Sequence, residues 1–104
     1  MRRVLLLKLP NGREPFTEWK KQLSIPEQVA VTRFILRIAE GGGQKNIKPL
    51  GKGVFEIKIH FSSGLRVYFG EGNNNVLILI TGGNKRTQSR DIEKAKKYWK
   101  KYTC

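Results

Sequence analysis

From Val54 to Phe69 the hydrophobic residues recur with a period of two, and this alternation constrains the fold more than any other feature. Phe55, Ile57, Ile59 and Phe61 fall on one side, with Glu56, Lys58 and His60 on the other, as expected of a half-buried β-strand. Ser62, Ser63 and Gly64 read as a turn, after which Leu65, Val67 and Phe69 alternate with Arg66 and Tyr68. Beyond the turn at residues 72–75, Val76 to Ile80 is wholly apolar, which predicts a central strand buried on both faces. The links between these strands are short, so the three should form an antiparallel meander.

Upstream the period changes. Val4 to Leu9 predicts a first strand, and Phe16, Trp19 and Leu23 share one face of a short helix. Ser24 and Glu27 have the spacing of a capping box ahead of a second helix. There Val31, Phe34, Ile35 and Ile38 follow the i, i+3, i+4, i+7 pattern until Gly41, Gly42 and Gly43 end it. A last helix is predicted from Arg90 to Tyr102, with Ile92, Ala95, Trp99 and Tyr102 inward. The expected architecture is a single α+β domain over residues 1–104 in the order β-α-α-β-β-β-α. Its sheet should be twisted and mainly antiparallel, with the helices packed on one face.

The charge balance bounds the partners. Lys and Arg number 21 against 8 Asp and Glu, a net charge of +13 in 104 residues. Such an excess opposes compaction by self-repulsion and attracts polyanions, phosphate backbones above all. Nucleic acid is therefore the expected partner, with a membrane surface as another polyanionic partner and a solubilising coat as the bland alternative. Cys104 is the lone cysteine, so no intrachain disulfide can form, which fits a reducing compartment. Leu5 to Leu7 is too short for a signal-peptide core, and no apolar run approaches membrane-spanning length. A cytoplasmic protein without membrane partners is expected.

The meander should carry one apolar face and one chemically loaded face. Lys58 and His60 on one strand would face Arg66 and Tyr68 on the next, with Lys85, Arg86 and Arg90 added from the segment after the central strand. Arginine forks onto phosphate, tyrosine can stack on a base, and histidine exchanges a proton near neutral pH. An exposed sheet face is polar in any case, so solvated decoration is the competing reading. Other chemistries fare worse. One histidine, one terminal cysteine and few carboxylates leave no metal-ligand cluster. The glycine loops at Gly51 to Gly53 and Gly82 to Lys85 lack nucleotide-binding spacing. Asp91 and Glu93 read as solvated helix residues, and Ser62 and Ser63 as turn residues.

The segments Lys48–His60 (KPLGKGVFEIKIH), Gly64–Phe69 (GLRVYF) and Ile80–Gln88 (ITGGNKRTQ), followed by Asp91, Ile92 and Ala95, together resemble the RelE/ParE superfamily of bacterial type II toxins. The likeness is greatest to the HigB-like branch of phage Gp49-like, addiction-module killer proteins, and it covers nearly the whole chain. The resemblance implies a ribosome-dependent, metal-free mRNA endoribonuclease that needs no cofactor. In such enzymes the RNA's own 2′-hydroxyl attacks the adjacent phosphate and leaves a 2′,3′-cyclic phosphate. It also implies a small antitoxin, usually DNA-binding, as partner. Arg66 matches the family's phosphate-contacting arginine and Arg86 the basic residue after the central strand. Lys58 takes a basic strand position, and His60 falls where HigB-like members place a functional histidine. Two positions depart from RelE: Ile92 stands for a tyrosine and Glu56 for a lysine. Glu56, His60 and Tyr68 are therefore the candidates for the missing proton-transfer group. The acid-aromatic-histidine cluster at the HigB C-terminus is replaced here by Tyr102, Thr103 and Cys104. Lys85, Arg90, Lys94, Lys97 and Lys101 are expected to contact RNA, with 16S rRNA tracked by the last helix. The competing readings are a gyrase-inhibiting ParE-like toxin and a non-catalytic RNA- or ribosome-binding module.

Overall fold

A computed structural model describes the chain from Met1 to Cys104. Its elements are β1 (Val4–Leu6), α1 (Pro15–Lys21), α2 (Ile25–Ala39), β2 (Ile47–Gly51), β3 (Val54–Ile59), β4 (Leu65–Gly72), β5 (Val76–Asn84) and α3 (Gln88–Thr103). The five strands form one sheet in the order β1-β5-β4-β3-β2. β1 runs parallel to β5, and every other pairing is antiparallel. None of the helices is long and apolar enough to cross a membrane.

The expected α+β class and the β3-β4-β5 meander are present, and two expectations need correction. First, the chain has a further strand, β2, which pairs with β3 and slips register between Pro49 and Gly51. Its sequence shows no alternation and contains a proline, which lacks a ladder donor and is tolerated only because β2 lies at the sheet edge. Second, helices cover both faces rather than one. On one face Val31, Ile35 and Ile38 of α2 and Phe16 of α1 pack with Ile57, Ile59, Val67, Phe69, Leu77 and Leu79. On the other, Ala95 and Trp99 of α3 pack with Val54, Tyr68, Ile78 and Ile80.

Why α3 can settle on the supposedly wet face lies in the side chains there. The register puts Tyr68 opposite Glu56 on β3 and Thr81 on β5, and Arg66 opposite Lys58 and Gly83. Gly70 continues this face as a bare patch of backbone, and the Trp99 indole lies on it. On the opposite face Gly82 does the same for Trp19. These glycines replace the alternating side chain with a seat for an aromatic ring.

The predicted cap of α2 forms. The Ser24 hydroxyl accepts the Glu27 N–H at 3.3 Å, and the Glu27 carboxylate accepts the Ser24 N–H at 2.9 Å. The Ser24 backbone bond is the chief reason that the Glu27 carboxyl lies below the usual glutamate range. Local details differ elsewhere. β3 stops at Ile59, so His60 and Phe61 belong to the turn, and Phe61 is exposed rather than inward. On α3 Ala95, Trp99 and Asp91 are buried and Ile92 packs half-buried beside them, whereas Tyr102 is exposed and stacks on Trp99. Asp91, read as solvated, is buried.

Candidate functional site: a basic cleft at the β3–β4 turn

The β3–β4 turn and the end of β5 frame a cleft of about 570 Å³. Lys58, His60, Arg66 and Lys85 line it together with Phe61 and the Ser62–Gly64 turn, and no carboxylate does. Lys58 and Arg66 are direct cross-strand partners. His60 extends from the strand end into the turn, where it is exposed. Lys85 arrives from the other side because Asn84, the last residue of β5, pairs with Leu65. The Asn84 side chain then accepts the N–H groups of Arg86 at 2.9 Å and Thr87 at 3.2 Å. This box fixes where the chain leaves the sheet and hence where Lys85 points. It was legible in the sequence as Asn84 and Thr87 at capping spacing, a signal that the glycines before it obscured.

Arg66 is the most constrained cation. It is only 8% exposed. One terminal nitrogen donates to the Gly64 and Leu65 carbonyls, each at 3.4 Å, and Nε has no partner. No carboxylate forms an ion pair with it; the chain's ion pairs are Arg2–Glu71, Lys8–Glu14 and Arg13–Glu18. A guanidinium has five N–H donors, so most of this fork stays uncommitted at the cleft wall.

Other expected site residues lie elsewhere. Tyr68 is fully buried beneath α3, so it is not on an open face where a base could stack. Burial, then the charges of Glu56 and Asp91, push its phenol above the usual tyrosine range. Its hydroxyl and Glu56 Oε1 are cross-strand neighbours without an aligned hydrogen bond. Glu56 Oε2 accepts from the Gln88 side chain at 2.8 Å, tying the start of α3 to β3. Glu56 is thus a buried tether, walled off from the cleft. Arg86 is exposed just outside the cleft. Arg90 and Lys94 line a second cleft between α1 and α3, while Lys97 and Lys101 are exposed along α3.

The family model for phage-derived Gp49-like proteins (DUF891) matches residues 18–100. The chain belongs to this family. The matched span holds every residue of the basic cleft and all of α2, β2, β3, β4 and β5. An uncharacterized protein of Haemophilus influenzae is 33% identical over 81 residues, which cover 78% of this chain and 82% of that relative. The Gp49-like family is associated with the toxins of toxin–antitoxin pairs, and such toxins typically pair with an antitoxin.

Proposed function

We propose that this Gp49-like protein is the toxin of a toxin–antitoxin pair and acts as a RelE/HigB-like, ribosome-dependent endoribonuclease on mRNA. One observation supports the reading above the others: Lys58, Arg66 and Lys85 converge with His60 in one cleft that no carboxylate lines. Cations held in place before the reaction stabilise the charge that builds on a pentavalent phosphorane. In the proposed reaction the 2′-oxygen forms a bond to the adjacent phosphorus and the P–O5′ bond breaks. The products are a 2′,3′-cyclic phosphate and a 5′-hydroxyl. The 2′-hydroxyl proton is removed as the new bond forms, and the O5′ leaving group takes up a proton. His60 is the group assigned to proton transfer, since it lines the cleft and its imidazole can both accept and donate a proton. Arg66 and Lys58 hold the phosphate, Lys85 and Arg86 flank it, and Arg90, Lys94, Lys97 and Lys101 meet 16S rRNA. Cytoplasmic action and a small antitoxin partner belong to the same reading.

The test is to express the chain and map 5′ ends on cellular mRNA by primer extension. New, sharp ends within translated frames are expected. Intact messages with arrested translation would assign a non-catalytic ribosome binder, and loss of DNA supercoiling before translation fails would assign a gyrase inhibitor. A second expectation separates Tyr68 from His60 as the proton-transfer group. Tyr68→Phe should retain cleavage and change stability by less than about 1 kcal/mol, because the deleted hydroxyl is buried without an aligned partner. Thermal melting and the same mapping check both parts.

A further inference from the structure

A second cleft, of about 390 Å³, opens between α1 and α3 at the C-terminal end of β5, within the range of small-ligand sites, about 300–1,000 Å³. Its floor is residues 81–84 of β5. β1 pairs with β5 only as far as Leu79, so this stretch runs on past the parallel strand. Gly82 and Gly83 leave this stretch bare on both faces: Trp19 packs against the first on the α1 side and the Asp91 carboxylate against the second on the α3 side, and the cleft opens along the strand edge between them. Trp19 and Tyr98 supply aromatic walls, and Arg90 and Lys94 are the cations at this cleft without an ion pair. The third, Arg13, is held by Glu18 through two bonds of 3.0 and 2.7 Å.

Asp91 gives the cleft its chemistry. It is 7% exposed, accepts a hydrogen bond from the Thr87 hydroxyl, and takes part in none of the chain's ion pairs. A carboxylate has about four acceptor positions; the Thr87 hydroxyl takes one of them, and the carboxylate lines the cleft, where a donor can reach the others. We infer that the cleft is a nucleobase subsite that takes an unpaired guanine of single-stranded RNA. This rests on the proposed function. Single-stranded RNA is read by stacking bases on aromatic rings and bonding their Watson–Crick edges. On that edge only guanine presents two adjacent donors, N1–H and N2–H, which match the two oxygens of a carboxylate. Adenine, cytosine and uracil each set an acceptor beside their donor, which repels it.

Placement ties this subsite to the basic cleft. Asp91 lies against Gly83, and Gly83 is the cross-strand partner of Arg66. Facing residues in an antiparallel pair are about 4.5–5.5 Å apart at Cα. A guanine bound by Asp91 therefore belongs to a nucleotide beside the phosphate held by Arg66, with Arg90 and Lys94 left for the flanking backbone.

The experiment titrates the full chain with guanosine, adenosine, cytidine and uridine 3′-monophosphates while following the two indole N–H signals by NMR. Guanosine 3′-monophosphate is expected to shift the Trp19 signal and leave that of Trp99 in place, with at least about tenfold weaker effects from the others. Asp91→Asn should erase the preference. In end mapping, the same variant should still cut but lose at least about tenfold of its selectivity for guanine beside the cleaved bond. If the wild type cuts no mRNA, the proposed function fails, yet the titration still decides the subsite. Equal responses to all four nucleotides, or none at Trp19, would overturn it. So would an antitoxin peptide protecting the amides of residues 81–84 where no nucleotide acts, since the occupant would then be an added strand.

Discussion

Arg66→Ala is expected to lower ribosome-dependent mRNA cleavage by about 10²–10³-fold, the usual effect of removing one preorganised donor from a developing oxyanion. Arg66 does little for the fold. It forms no ion pair, its two backbone contacts are at the long limit of 3.4 Å, and its Nε is buried without a partner. Removing it discards weak bonds and also relieves the cost of an unsatisfied buried donor. Its fork, by contrast, is the group at the cleft wall able to make paired bonds to phosphate oxygens. Arg66→Lys keeps the charge but not the paired geometry, and should recover only part of the activity. Cleavage assays on programmed ribosomes, run beside thermal melts, check this. An Arg66→Ala protein that melts normally and still cuts at the wild-type rate would remove Arg66 from the mechanism. One that unfolds would show that the arginine is structural.

Gly70→Ala should have a large effect on stability. A Cβ at this position would sit 2.5 Å from both Cζ2 and Cζ3 of Trp99, far inside contact distance. Neither side can yield cheaply. Gly70 is in the middle of β4, paired with Val54 and Ile78, and Trp99 is a rigid ring at the centre of the α3 face. The indole must leave its seat, and α3 loses its main anchor. Overpacking of this kind costs about 1–3 kcal/mol, toward the upper end where neither side can yield, which lowers the melting midpoint of a domain this size by about 10–20 °C. Because α3 also carries Gln88, Arg90 and Asp91, amide exchange along the helix should quicken together with the fall in midpoint. A midpoint within a few degrees of wild type would mean that the indole has another place to go.

The reach of the sequence differed from element to element. β3, β4 and β5 were legible because one hydrophobic period runs through them, and α2 because periodicity and a capping box agree at Ser24 and Glu27. β2 was not, since an edge strand is held by backbone bonds to β3 and needs no side-chain pattern. Of the candidate site, Lys58 and Arg66 are brought together by strand register, which alternation makes legible, Lys85 comes from the segment after β5, and His60 reaches the cleft from the turn rather than the strand. Tyr68 and Glu56 are on the face that alternation assigns them, yet they lie under a helix. Alternation tells which residues share a face, but not whether a helix covers that face.

By itself the sequence determined the α+β class, the antiparallel meander, the excess of positive charge and the residues that register would bring together. Local periodicity and charge are properties of the chain and need no partner in space. Only the tertiary structure decided which half of the polar face stays open. Gly70 seats Trp99, Gln88 ties α3 to Glu56, and the helix thereby shuts Tyr68 and Glu56 away. It leaves Lys58, His60, Arg66 and Lys85 around an open cleft and carries Asp91 to a second one. That choice depends on contacts between residues far apart in the chain, which no local pattern records.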